Sequence, residues 1–406
     1  MKKAIFMISA AVALIGTGCA TSKTVSAQTK ETKLSSNLSE NLNQYLSALT
    51  EQEKFQGVVL VKQGENILFH KPYGVTDLRY DVPNQIEYSF RIGSITKSFT
   101  SVLIGIEIEK GKLSLTSTVS DFIADFPRGN EITIEHLLSH TSGIKDYFMP
   151  LEEELYEVHT PSDLIAYFKN QPLNFEPGEN WEYSNSNYAL LGYFLEQIND
   201  KSFRTLLNER IIKPLGLKET GFLEEDIHIA ANGHGVRSNG EIGYIKPVHP
   251  TVSYAAGAML SSTGDLVKFS EALKAGKLVS LETLEKMTTP IKNAYGLGFI
   301  VHHNFENNYY GHNGGNDGFH ANWKYYPELD LTTVILCNNF TAPFGKILGT
   351  MAKIIFDQPF EIPVAHEAIE LNLEILKKYL GRYKVNDEMY IDIVLEDSQL
   401  AFQGKG

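Results

Sequence analysis

The sequence predicts a mixed α/β (α+β) fold: an antiparallel sheet built from both chain ends and flanked by helices, with a mainly helical lobe inserted between its halves. Three observations lead there. Strand-like runs occur early, at residues 57–73, and late, at residues 295–339. Between Thr118 and about Pro250 the apolar residues recur at helical spacing, broken by Pro and Gly. A third stretch, from Ser94 to about Lys110, is apolar around nearly its whole circumference, which marks a buried helix.

Taken in order, the chain opens with Lys2 and Lys3 ahead of an apolar run, Ala4–Gly16. That run is too short to span a bilayer comfortably and has the layout of a signal peptide, assigned to residues 1–18. Gly18-Cys19 fits a lipoprotein processing site, which would leave Cys19 lipidated; cleavage after Ala27, in Val25-Ser26-Ala27, is the rival. Residues 19–36 are polar and read as a tether. Leu38–Leu49 has helical spacing, and GVVLVKQGENILFHKPYG reads as a hairpin about Gly64.

The helix after Ser94 stops at Gly111. The central lobe is carried by ITIEHLLSHTSG, SDLIAYFKN, NYALLGYFLEQIN and FRTLLNERIIKPLG. SSTGDLVKFSEALKAG is a helix capped by Ser262 or Thr263. The runs YGLGFIVH, NNYYGHNG, GFHANWKYYP and LTTVILCNN are strands, with a turn at Pro327–Asp330. One domain is expected over residues 37–360, and a connector over 361–375. Residues 376–406 show a short helix and two strand runs, expected to be the start of a small β-rich accessory domain, truncated at Gly406.

The 406 residues are 43% hydrophobic with a net charge of -13, an ordinary globular balance whose sign repels phosphate backbones; nucleic acid is not an expected partner. The two cysteines are Cys19 and Cys337. With Cys19 lipidated no intrachain disulfide is possible, and Cys337, closing TTVILC, reads as a buried inert thiol. No HExxH pattern occurs among the twelve histidines, so no metal or cofactor is expected.

Three local patterns carry chemistry. Ser94 and Lys97 lie three apart on a helix, so hydroxyl and amine share one face. A buried amine with a lowered pKa can take the proton of a serine nucleophile, and the helix start offers N–H groups to an oxyanion. Tyr183-Ser184-Asn185 sits on a Pro/Gly-bounded loop before a helix. A phenol beside a lysine can be driven toward phenolate and act as a base, while Asn185 can bind a substrate amide and orient Lys97. His312-Asn313-Gly314-Gly315 ends a strand, and glycine there lets the backbone approach a ligand. The N–H groups of Ser94 and Gly315 would then form a two-donor oxyanion hole. His140 and Ser142, in LLSHTSG, read as structural; Asp121, Asp125 and Glu131 as solvated charges; Trp181 as a wall or lining of the cleft; Tyr309 and Tyr310 as packing residues.

In this order the patterns RIGSITKSFTSVLI, YSN and HNG resemble those of the class C β-lactamase, D-alanyl-D-alanine carboxypeptidase and serine esterase superfamily, over roughly residues 45–350. The segments LLSHTSGI, PGxxxxYSNxNYxLLG and AAGAMLSSTGDLVKF carry the resemblance further. It implies a β-lactamase/transpeptidase-like fold with Ser94 as nucleophile and Lys97 and Tyr183 as the acid/base pair. Asn185, His312, Gly314 and Gly315 would be substrate contacts. One departure bears on substrate: His312 stands where some relatives place a lysine cation and others a histidine, and histidine is mostly neutral at pH 7, so a peptidase stays open beside esterases and amidases. The expectation is an exported serine hydrolase of the cell envelope or periplasm, anchored through Cys19. It would act through a Ser acyl-enzyme on a D-Ala-D-Ala-like peptide, a D-aminoacyl amide, a small ester or a β-lactam. Carboxypeptidase or esterase activity is favoured over efficient β-lactam hydrolysis. The alternative is a catalytically silent sensor or muropeptide-binding lipoprotein.

Overall fold

The computed structural model describes residues 34–148, 154–222, 226–227, 229–236, 241–365, 371–384, 390–396 and 399–405. The expected signal peptide, Cys19 and all but the last three residues of the tether lie outside the described residues.

Helix α1 (Leu38–Glu51) turns Leu38, Leu42, Tyr45, Leu46 and Leu49, three and four residues apart, toward a core. Strands β1 (Gly57–Gln63) and β2 (Asn66–Tyr73) form the hairpin about Gly64. After the small pair β3 (Val75–Asp77) and β4 (Val82–Pro83), β5 (Phe90–Arg91) leads through a 3-10 turn, Gly93–Ile95, into α2 (Thr96–Glu109). The lobe holds α3 (Ile134–Leu138), α4 (Pro161–Phe168), α5 (Asn185–Asn199), α6 (Phe203–Leu207) and α7 (Lys213–Leu215); a wide helical turn over Asn208–Ile212 joins the last two.

Next comes a pair not foreseen from periodicity, β6 (His234–Val236) with β7 (Ile242–Tyr244). Three-residue strands are too short to display a period of two. Helix α8 (Pro250–Gly257), β8 (Leu260–Ser261) paired with β5, α9 (Thr263–Lys274) and α10 (Leu281–Met287) bring the chain back to the sheet. The side chain of Ser262 accepts from Asp265 N–H and caps α9, as its sequence predicts. Strands β9 (Ile300–Asn304), β10 (Asn307–Asn316), β11 (Phe319–Tyr326) and β12 (Leu331–Cys337) follow, then α11 (Phe344–Ile355).

The six-stranded sheet runs β2-β1-β12-β11-β10-β9, antiparallel throughout. The two chain ends therefore meet at β1 and β12, as expected. Alternate residues of these strands enter different cores. Val58, Leu60, Val334 and Leu336 join the cluster shared with α2, α5, α8 and α9. Val59, Val61, Ile335 and Cys337 join the cluster beneath α1 and α11. Because both faces are covered, the strands are apolar without alternation. Cys337 is a buried free thiol, held up to about 11 by burial.

Two expectations need correction. The run YGLGFIVH is a strand only from Ile300 onward, and its first five residues form a loop. At the C-terminus, after α12 (Leu373–Leu376), three strands rather than two form a sheet of their own: β13 (Gly381–Lys384), β14 (Tyr390–Glu396) and β15 (Gln399–Lys405).

Candidate active site

Burial of α2 is the first requirement of the site. Its residues Thr96–Gly105 are all buried. Each buried hydroxyl finds a partner that helps fix the helix's rotation: Thr96 Oγ1 accepts from Met259 N–H at 3.2 Å, Ser98 Oγ donates to Gly298 O at 2.9 Å, and Thr100 Oγ1 donates to Ala255 O at 2.7 Å. With that rotation set, Lys97 points inward, fully buried, while Ser94 on the preceding turn stays partly exposed.

The Lys97 amine has three acceptors. Ser94 Oγ lies at 3.1 Å, Asn185 Oδ1 at 2.8 Å and Ala256 O at 2.8 Å. The last is a backbone carbonyl just beyond the break in α8 at Tyr254, whose φ is +39°. The Tyr183 hydroxyl faces Ser94, and its ring centroid lies 4.7 Å from Lys97 Nζ. Burial pushes the lysine down to about 7, against a smaller opposing pull from Asp146. A neutral Lys97 can donate to Asn185 and Ala256 and receive the Ser94 hydroxyl proton on its lone pair. Burial pushes the Tyr183 phenol the other way, well above its ordinary value. The sequence-based expectation of a Tyr183 phenolate therefore gives way to a protonated phenol beside a near-neutral amine.

The third pattern lies at the end of β10, the strand position expected for it, and β10 crosses the Gly93–Ile95 turn closely. Glycine is required for that approach. A side chain at Gly314 would overlap the Ile92 carbonyl, and one at Gly93, whose φ is +49°, would overlap the Gly315 backbone. The Gly315 peptide is thus brought beside the turn that carries Ser94.

His312 is buried. Its Nδ1–H donates to Asn313 O at 2.6 Å, so Nε2 accepts from the Tyr295 hydroxyl at 2.8 Å. Burial drives its pKa down to about 3, so the imidazole is neutral. Asn313 stands exposed, its Oδ1 accepting from Asn322 at 2.5 Å.

His140 is fully buried at φ +60°. Its Nδ1 accepts from Ser184 N–H and from the Asn187 amide, both at 3.2 Å, and its ring packs 4.3 Å from Tyr183. Ser142 Oγ donates to Asn187 Oδ1 at 2.6 Å. Both residues therefore support the loop that presents Tyr183. Trp181 is half-buried against His140 and Tyr295 and acts as a wall. Tyr310 packs in the core. The acidic residues read as solvated charges are exposed, as expected, and make surface contacts: Asp121 caps Thr118, Asp125 pairs with Lys169, and Glu131 with Arg128.

Sequence reasoning missed Asp146, Tyr295 and the Ala256 carbonyl. Asp146 Oδ2 accepts from both Asn185 N–H and Asn185 Nδ2 at 2.8 Å. Among the described residues no group of His, Cys, Asp or Glu is arranged to hold a metal ion.

A six-stranded antiparallel sheet, a buried Ser-x-x-Lys helix against it and a helical lobe define the serine β-lactamase/transpeptidase class of fold. The Beta-lactamase family profile matches residues 42–353, and the chain belongs to that family of serine hydrolases. A Bacillus subtilis protein described as a candidate penicillin-binding protein, PbpX, is 30% identical over 318 residues, covering 77% of this chain and 78% of its own. The octameric penicillin-binding protein homologue from Pyrococcus abyssi superposes with a TM-score of 0.76 at 26% identity, over 90% of each chain. The D-amino acid amidase from Ochrobactrum anthropi SV3 shares the fold, with a TM-score of 0.70 at 21% identity over 79% of this chain and 99% of that one.

Proposed function

We propose that this protein is an exported serine hydrolase that cleaves small esters and D-aminoacyl amides through an acyl-enzyme on Ser94. The observation that carries the mechanism is the set of three acceptors around Lys97. With two N–H bonds committed to Asn185 and Ala256, the lone pair of the neutral amine is left for the Ser94 proton.

Ser94 Oγ attacks the carbonyl as its proton passes to Lys97. The N–H groups of Ser94 and Gly315 receive the developing oxyanion. Tyr183, a phenol that faces Ser94, relays the proton to the departing amine or alcohol, and water then releases the acyl group from Ser94. Asn185 and the β10 backbone at Gly314 and Gly315 align the substrate.

Substrate choice follows from His312. A neutral, buried imidazole tied to Tyr295 offers no cation to a substrate carboxylate. Neutral-ended amides and esters therefore fit better than β-lactams or D-Ala-D-Ala peptides, whose carboxylates gain from a fixed positive charge. The basic and apolar N-terminus, ending at Gly18-Cys19, supports export to the cell envelope and a lipid anchor.

The test is a turnover panel on protein lacking residues 1–33: p-nitrophenyl acetate and butyrate, a D-alanyl anilide, nitrocefin and a D-Ala-D-Ala peptide, each with Ser94→Ala as control. Ser94-dependent turnover of the esters or the anilide above the other two is expected. No turnover, together with no mass increase on treatment with a fluorophosphonate, would overturn the hydrolase in favour of a catalytically silent ligand-binding protein.

A further inference from the structure

The two groups that hold Lys97 from outside its own helix belong to different elements: Asn185 opens α5, and Ala256 closes α8. A single turn, Lys145–Phe148, bonds Asn185 directly and reaches the other element at Val252, before the break in α8 at Tyr254 that separates it from Ala256. Asp146 Oδ2 takes the Asn185 backbone N–H and the Asn185 side-chain amide, each at 2.8 Å, and Asp146 Oδ1 takes Phe148 N–H at 2.7 Å. Ser186 Oγ donates to Lys145 O at 2.6 Å and accepts from Tyr147 N–H at 3.0 Å, which seats the turn on the first residues of α5. The fully buried Tyr147 hydroxyl donates to Val252 O in α8 at 2.5 Å.

This arrangement has a directional consequence. Asparagine has one acceptor end and one donor end. With Nδ2 committed to the Asp146 carboxylate, Oδ1 must face Lys97, where it is found at 2.8 Å. Were the amide reversed, Nδ2 would meet the lysine as a second donor, and the lysine lone pair would be drawn away from Ser94.

We propose that Asp146 is a positioning residue for the Ser94 reaction, acting through Asn185 to fix the direction in which the Lys97 amine meets Ser94. The inference rests on the hydrolase proposed above. Asp146 also acts by charge, since its carboxylate favours the Lys97 ammonium against the effect of burial. The other titratable groups that face Lys97 are Tyr183 from the loop before α5, Tyr188 from α5, His140 and His312. Burial holds both histidines neutral and both tyrosines as phenols, with the nearby lysine adding to the effect on the histidines. None of these supplies a negative charge, and Asp146 does.

The test is the pH dependence of Ser94 labelling by a fluorophosphonate, read as intact mass, in wild type, Asp146→Asn, Asp146→Glu and Asp146→Ala. Wild type is expected to show a rising limb near pH 7. Asp146→Asn keeps an acceptor for the Asn185 N–H and loses the charge, so its limb should move to lower pH by about one unit. Asp146→Glu keeps the charge, and its limb should stay at the wild-type position. Asp146→Ala releases the Asn185 amide and should slow labelling about tenfold or more across the whole range. A residue that merely supports the fold would lower rates without moving the limb. A folded Asp146→Asn with its limb on the wild-type curve, or Asp146→Glu displaced along with it, overturns the proposal. Should Asp146→Asn melt below the assay temperature, Asp146→Ser removes the same charge from a smaller side chain and is read in the same way. A limb moved to lower pH supports the proposal, and a limb on the wild-type curve overturns it. Labelling of wild type that survives Ser94→Ala would instead remove the hydrolase on which the inference rests.

Discussion

Lys97 carries both the chemistry and a cost. Below about pH 7 it is charged in the folded and the unfolded chain, and burial penalises the folded form in full. Between about 7 and its ordinary value of 10.5, the unfolded chain holds the proton that the folded chain has released, so stability rises with pH across that window. A Lys97→Met variant carries no such penalty. Its melting temperature should exceed that of wild type most at pH 6, and the gap should narrow steadily by pH 9; a gap independent of pH would show the lysine to be unperturbed. Activity should follow the same titration, rising through pH 7. At this scale the sequence was informative wherever partners are local. Ser94 and Lys97 share a face because they are three apart, and Tyr183 with Asn185 announces itself at the start of a helix. Tyr295 opens a run whose pattern reads only as a strand, Asp146 follows LLSHTSGI at a spacing that no local rule links to Asn185, and Ala256 contributes only backbone, which no residue type reveals.

Among the elements, α2 bears the heaviest packing demand, because the rotation of one helix sets the heading of Lys97. Phe99, fully buried, stacks on Phe269 of α9 with ring centroids 3.9 Å apart and planes within 11°. Removing that ring leaves a cavity between the sheet and the lobe, and Phe99→Ala should cost about 3–5 kcal/mol in denaturant unfolding. Labelling of Ser94 should fall as well, since a helix loosened at Phe99 holds Lys97, two residues away, less firmly; a loss below about 1 kcal/mol would show that the stack is not part of the core. The helix itself was legible from its uninterrupted apolar composition, and so were β1 and β12. The strand β9 was foreseen too long, because in YGLGFIVH Tyr295 turns to His312 and Gly298 O accepts from Ser98 of α2. Periodicity reports which face is buried, and it cannot tell a strand from a loop that is equally buried.

For the whole molecule, the question is which parts of the chain the site depends on. The two hydrophobic clusters draw on residues from Leu34 to Phe360 and on none of the described residues after that. In the stretch from residue 371 to 396 every described residue is half-buried or exposed. The final sheet closes its hydrogen bonds within itself, β13 on β14 and β14 on β15, so it takes no ladder bonds from the six-stranded sheet. Gln52, at the end of α1, does donate to Pro363 O at 3.2 Å, but that carbonyl precedes residue 366 and would be kept by a cut there. Deleting residues 366–406 should therefore leave the melting temperature within about 2 °C of the full chain, since none of the described residues removed belongs to either core cluster. Ser94 labelling and its pH limb should be unchanged. A fall well beyond that margin, or a changed limb, would mean that the terminal sheet braces α1 and α11 from the rear. The catalytic face would then depend on both layers of the molecule and not on the sheet and lobe alone.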